Sequence, residues 1–201
     1  KIIKDEPSNL RSSTNGADYI IITHESLYPG VLPLAEWRQK STQGLRVEVV
    51  KAQDIYDEFN FGIFNPNAIK DFLAYAYSNW QPPAPTYVVL VGDANYEYKK
   101  GVNWVPTNLV QTPQHGAAAS DGSYVTISGN DSLPDMLISR LPARNLIELN
   151  AMVSKIIAYE SSPEMGPWRK RLLFLSGVGS VFTGQSENLI KSYVPPSFEV
   201  A

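Results

Sequence analysis

Four short runs of β-branched and apolar residues, each joined to the next through a helical or looped segment, limit what this chain can fold into. Tyr19-Ile20-Ile21-Ile22-Thr23 is apolar without alternation, as expected of a strand buried on both faces. Residues 46–50 give a second strand, Tyr87-Val88-Val89-Leu90-Val91 a third, and Met136-Leu137-Ile138-Ser139 a fourth. Between the first two, Leu27, Val31, Leu34, Ala35 and Arg38 fall on one helical face, in a helix expected over 30–42 that opens at Pro29 and closes near Gly44. A second helix is expected over 66–79. Asn65 caps it, Pro66 takes its first position, and Ile69, Phe72, Leu73 and Ala76 are its buried face. A third is expected over 145–161, with Asn145 and Glu148 as a capping box and Leu149, Met152, Val153, Ile156 and Ile157 facing the core. Strands alternating with helices predict an α/β fold, a mostly parallel four-stranded sheet in the order 2-1-3-4 flanked by helices.

The remaining segments are less regular. Residues 1–17 are polar and aperiodic and read as a linker into the domain, and residues 54–64 read as an aromatic, turn-rich segment. Residues 92–134 carry no helical period. A loop of that length binds something or holds small strands of its own, and Tyr124-Val125-Thr126-Ile127 is the expected hairpin arm. Arg171-Leu172-Leu173-Phe174-Leu175 begins a fifth strand, and residues 185–193 have the pattern of a short helix.

Composition removes several function classes. Hydrophobic residues make up 43% of the 201 and charged residues 18%, which supports a buried core. The net charge of -3 argues against a partner recognised through phosphates, so no nucleic acid is expected. No apolar run reaches the roughly 18 residues of a membrane span. The N-terminus lacks a signal-peptide pattern and reads as a trimmed end. The 15 prolines and 11 tyrosines, with loops rich in Asn and Ser, favour an extracellular bacterial protein. There is no cysteine, which excludes disulfides, thiolate metal sites and a thiol nucleophile within this chain.

Taken in order, several stretches carry a resemblance. Asp18 to Thr23 opens the domain. Leu34-Ala35-Glu36-Trp37-Arg38-Gln39-Lys40 and Gly44-Leu45-Arg46-Val47-Glu48-Val49-Val50 follow, then Tyr87 to Ala94, Ser120-Asp121, and Gly129-Asn130-Asp131-Ser132-Leu133-Pro134-Asp135-Met136 through Ala143. Ile156-Ile157-Ala158-Tyr159-Glu160 and Trp168 complete the series. Together they resemble the gingipain-type cysteine peptidases, peptidase family C25 of the caspase-like clan. The resemblance implies a catalytic unit of two side-by-side α/β halves, with 18–165 as the first and 166–201 as the start of the second. It also implies that the family's histidine and cysteine lie downstream, with no matching position here. The expected parent is a cell-surface or extracellular cysteine endopeptidase acting on peptides or proteins. This chain would be a scaffold half, inactive alone, whose partner is the remainder of the same polypeptide. The alternative is a non-catalytic peptidase-like module for binding or secretion-system assembly.

The candidate chemistry is sparse. Ser120, Asp121 and His115 supply the residue types of a serine hydrolase, but there is no Gly-x-Ser-x-Gly elbow. His115-Gly116 copies the family's His-Gly dipeptide at the wrong place in the order of strands. His24 falls at the carboxyl edge of the first strand, where a helix-entry hydrogen bond is its expected role. Asp93, Asp121, Asp131 and Asp135, with Asn95 and Asn130, offer hard oxygens in or beside the long loop. Calcium suits such ligands and is implied by the resemblance, with Asp121 and Asp131 the favoured pair, although the spacing matches no EF-hand. Gly177-Val178-Gly179-Ser180 lacks the lysine and third glycine of phosphate-binding loops. Residues 177–186 hold no carboxylate, so an acidic pocket for Arg or Lys substrates is not supported. Tyr96, Tyr98 and Trp104 either bind a ligand or pack the long loop onto its own domain.

Overall fold

The computed structural model describes residues 7–40, 44–114, 116–129 and 131–201. Its elements in chain order are β1 (Tyr19–Thr23), α1 (Tyr28–Lys40), β2 (Val47–Lys51), α2 (Ala52–Asn60), α3 (Pro66–Asn79), β3 (Tyr87–Val91), β4 (Leu109–Thr112), β5 (Gly116–Ala119), β6 (Leu137–Leu141), α4 (Leu146–Ser161), β7 (Arg171–Leu172), α5 (Ser180–Tyr193) and β8 (Glu199–Val200). Two compact units divide between Ile157 and Ala158.

In the first unit β2, β1, β3 and β6 form a parallel sheet in that order, which is the expected α/β topology. All five residues of β1 are buried because the strand is central and both faces are covered. The two-residue period divides them. Ile20 and Ile22 join Val88 and Leu90 under α2 and α3, against Ile55, Ile69, Phe72 and Leu73. Tyr19 and Ile21 join Val89 and Val91 on the other face, under α1 and α4, against Val31, Leu34, Leu149 and Val153. Full burial of one such side chain is worth about 1.5–3 kcal/mol, so these two layers dominate the stability of the unit.

The caps form as the sequence predicts. Asn65 Oδ1 accepts from Asn67 N at 3.0 Å, and Asn145 Oδ1 from Glu148 N at 3.0 Å. Other expectations are corrected. The segment read as turn-rich over 54–64 is helical as far as Asn60, because Ala52, Ile55 and Tyr56 make a buried face that its acidic residues obscure. The hairpin is made by β4 and β5, not by residues 124–127. Tyr124 ends a 3-10 turn, and both it and Val125 are fully buried, which an alternating hairpin arm would not allow. The first helix begins two residues early, and positions 41 and 42 of its expected range lie outside the described residues.

The polar N-terminal segment runs against the domain from Ser8 onward. Glu58 accepts from Ser8 Oγ, from Leu10 N at 2.7 Å and from Arg11 N at 3.0 Å. Trp80 Nε1 donates to Leu10 O at 2.9 Å, and the Arg11 guanidinium lies 4.1 Å over the Phe59 ring. Glu58→Ala removes the acceptor of all three donors. It is expected to destabilise the unit by about 1–2 kcal/mol and to open residues 8–17 to limited proteolysis, read by mass spectrometry. Cleavage at the wild-type rate would show that Glu58 does not hold this segment.

The second unit, residues 158–201, contains no buried residue. Its parallel pair is short, Arg171 and Leu172 against Glu199 and Val200, although Phe174 N still donates to Ala201 O at 3.1 Å. The fifth strand is therefore shorter than the expected 171–175. The helix between the strands is longer than expected, starting at Ser180. Leu173, Leu175, Val178, Val181 and Phe182 are each more than half exposed.

Candidate functional site

The carboxyl edge of a parallel sheet is where α/β proteins place ligands, and here the long segment after β3 is tied down over that edge. Arg140, on β6, is the tie. Its Nε and Nη2 form a two-pronged bond to Asp121, at 2.7 and 2.8 Å. Nη1 donates to Gly92 O and Val105 O, both at 2.7 Å, and Nη2 to Pro106 O at 3.1 Å. Only 14% of the Arg140 side chain is exposed. A charge in so dry a place must be paired and hydrogen-bonded. One guanidinium thus gathers three carbonyls of the loop and a carboxylate from the turn before β6.

A second cluster lies beside it. Arg144 Nε donates to Asp93 Oδ2 at 2.8 Å, and Asp93 N donates to Ala143 O at 3.0 Å, joining the ends of β3 and β6. Trp104 N donates to Asp93 O at 3.0 Å and its indole Nε1 to Arg144 O at 2.9 Å. The Trp104 ring packs on His24 with centroids 4.3 Å apart. His24 follows β1 and caps the next turn through Nδ1, which accepts from Ser26 N at 3.1 Å. That is the helix-entry role the sequence suggests. Burial pushes the His24 imidazole below its usual proton affinity, partly offset by the charge of Glu25.

The other candidates divide between loop packing and surface. Tyr98 donates to Thr107 O at 2.7 Å and meets Phe64 at 5.7 Å, so with Trp104 it packs the loop, whereas Tyr96 is 61% exposed. Asp135 Oδ2 accepts from Ile127 N and Ser128 N, both at 2.8 Å, and these bonds hold its carboxyl below the usual range. Asp131 accepts from Leu133 N at 2.9 Å and lines an open, hydroxyl-rich depression with Ser120, Ser123, Thr126 and Ser132. Asp121 faces Arg140 instead, so the two favoured calcium candidates are engaged in different tasks. Calcium draws six to eight oxygens. Among the described residues no three carboxylate or imidazole groups lie together for a metal. His115 and Asn130 lie outside the described residues.

The two arginines are what reading the sequence for catalytic types passes over. The signal was present: a charged residue inside the apolar run Leu137-Ile138-Ser139-Arg140-Leu141 requires a buried partner.

Fold and edge together define a parallel α/β domain whose longest loop is pinned over the carboxyl ends of its strands. Residues 12–201 match the family model of peptidase family C25, and the chain belongs to that family. Among solved structures it is similar to dimeric latent PorU from Porphyromonas gingivalis, with 24% identity and a TM-score of 0.63 over 87% of this chain and 19% of that one. It is also similar to the complex of Porphyromonas gingivalis RgpB pro- and mature domains, with 22% identity and a TM-score of 0.61 over 90% of this chain and 40% of that one. At these identities the likeness is one of fold. The chain spans 19% and 40% of the length of those two relatives. No curated protein matches it.

Proposed function

We propose that this chain is the scaffold half of a cysteine endopeptidase catalytic unit, supplying a rigid sheet and a pinned loop at the cleft, while thiol and imidazole come from sequence outside it. The observation that carries this reading is that these 201 residues, which belong to family C25, contain no cysteine. A thiolate nucleophile must be matched to a positioned base, and this chain cannot provide the first. The described imidazole, His24, accepts a backbone N–H through Nδ1 and packs at a tilt on Trp104, an arrangement suited to holding structure.

The state of residues 158–201 supports the same division. A strand–helix–strand unit that exposes Leu173 and Leu175 just after its first strand, and Val178, Val181 and Phe182 beyond them, has apolar surface that a covering layer would bury. In this reading 18–165 is the first subdomain and 166–201 opens the second, whose further strands and helices are the partner. An extracellular or cell-surface setting and peptide or protein substrates come with the proposal. Among the described residues no helix is long and apolar enough to cross a membrane.

The test compares two proteins. The 201-residue chain, with reductant and calcium, is expected to cleave casein at the background rate. The complete polypeptide is expected to cleave it and to be inactivated by iodoacetamide. An inert complete polypeptide would favour the non-catalytic module. Turnover by the 201-residue chain, abolished by His115→Ala or Ser120→Ala, would place the chemistry in this chain and overturn the reading.

A further inference from the structure

His24 combines three features at one point of the fold. It is the last residue before the turn that follows β1, it caps that turn through one ring nitrogen, and its ring packs on that of Trp104 at a tilt of 39°. Trp104 in turn is the hub of the loop that follows β3. Its backbone N–H is held by Asp93 O and its indole N–H by Arg144 O. The His24–Trp104 stack is thus the point at which the end of β1 meets the long loop.

The cap fixes the tautomer. Nδ1 accepts from Ser26 N at 3.1 Å and lies 2.8 Å from Ser26 Oγ, so in this arrangement it carries no proton and Nε2 carries the hydrogen. A proton added to Nδ1 would face the Ser26 N–H donor directly. Ser26 Oγ could still accept from it, but the backbone N–H would lose its acceptor and the ring would have to turn, away from the plane in which it meets the indole.

We propose that the His24–Trp104 stack is an acid-released latch, which holds the loop after β3 to the end of β1 while the imidazole is neutral and lets it go when the ring takes a proton. The charges on the packed elements leave that switch to His24. Glu25, its neighbour, is paired with Lys51 of β2 at 2.7 Å, and the Lys51 ammonium lies 5.5 Å over the Tyr28 ring of α1. On the loop side Asp93 is paired with Arg144, and Arg144 N donates to Glu148 Oε2 at 2.8 Å. Imidazole is the side chain whose ordinary charge change falls between mildly acidic and neutral pH.

The direction follows from linkage. Burial lowers the proton affinity of His24 in the folded protein. The contribution of the latch is then complete above the ordinary histidine value of about 6.5 and is lost as pH falls from there toward the lower folded value.

Hydrogen exchange of the amides of residues 94–104, corrected for intrinsic rates, tests this between pH 7.5 and 5.5. Opening linked to a single proton accelerates exchange by at most roughly tenfold per pH unit. Acceleration is expected in this segment and not in β3. His24→Asn keeps a short N-cap acceptor that does not titrate, and it is expected to leave a folded protein whose exchange in 94–104 is flat with pH. His115→Asn is expected to keep the wild-type response. A flat profile in the wild type, or an acid response that survives His24→Asn, overturns the latch. Should His24→Asn fail to fold, Trp104→Phe provides the second arm. It retains a ring against the imidazole but loses the indole bond to Arg144 O. Faster exchange already at pH 7.5, with a smaller acid step, is expected. An unchanged profile in Trp104→Phe would count against the stack as the fastening.

Discussion

Arg140→Ala is expected to cost about 3–5 kcal/mol, the size associated with breaking a buried ion pair by removing one partner. Out of a typical total of about 5–15 kcal/mol, that is enough to leave the unit marginal. The loss is large because the substitution strands more than it removes. Asp121 keeps its carboxylate without the two guanidinium bonds, and the carbonyls of Gly92, Val105 and Pro106 lose their donor together. Arg140→Lys discriminates the geometry from the charge. A single ammonium cannot reproduce a fork that reaches one carboxylate and three carbonyls, so lysine is expected to recover only a minor part. Urea denaturation midpoints measure both. If Arg140→Lys unfolds at the wild-type midpoint, the loop does not depend on the fork.

This tie also shows what sequence reasoning can and cannot reach. The four strands of the main sheet were legible as short runs rich in apolar residues, unbroken in β1 and β3 and interrupted by Glu48 in β2 and by Ser139 and Arg140 in β6, and in β1 the burial on both faces that an unbroken run implies is found throughout. The caps at Asn65 and Asn145 were legible because they depend on residues two and three positions away. α2 was not, because Asp54, Asp57 and Glu58 interrupt the apolar pattern while Ile55 and Tyr56 carry the packing. The hairpin was misplaced for a related reason. Tyr124 and Val125 look like strand residues, but the fold uses them to fill the core beside α3, with the Tyr124 hydroxyl donating to Pro106 O at 3.0 Å. In each case a local pattern was overruled by burial against a distant element.

The candidate site separates along the same line. The capping role of His24 is local and could be read from the chain. Its contact with Trp104, 80 positions away, could not. Asp121 was favoured as a metal ligand because it offers hard oxygens within the long loop, whereas its partner is 19 positions on, inside a strand. Residue type told which groups could do chemistry. Only the folded chain told which of them were already bound to one another.

Gly92→Ala is expected to have an effect of similar size, by a different route. Gly92 sits at φ +141, a conformation that L side chains rarely adopt, at the point where β3 turns into the long loop. A Cβ there would lie 2.6 Å from Trp104 Cβ and 3.3 Å from Val105 N. Neither atom is the far end of a flexible side chain, so relief requires the backbone of the loop to move. That backbone is fixed by Trp104 N to Asp93 O and by Arg140 to the carbonyls of Val105 and of Gly92 itself. Backbone strain and overpacking each contribute about 1–3 kcal/mol. Gly44→Ala separates the two, since Gly44 has φ +55 and open space where its Cβ would stand. It is expected to show the conformational part alone. The difference between the two urea midpoints then contains the close approach of the loop to β3 together with the less accessible φ of Gly92. Gly92→Ala should also accelerate exchange in residues 94–104 at pH 7.5, because it displaces the same tryptophan that His24 holds. Equal midpoints for the two variants, with exchange unchanged, would mean that the loop yields to an added methyl group and is not pinned over the sheet edge.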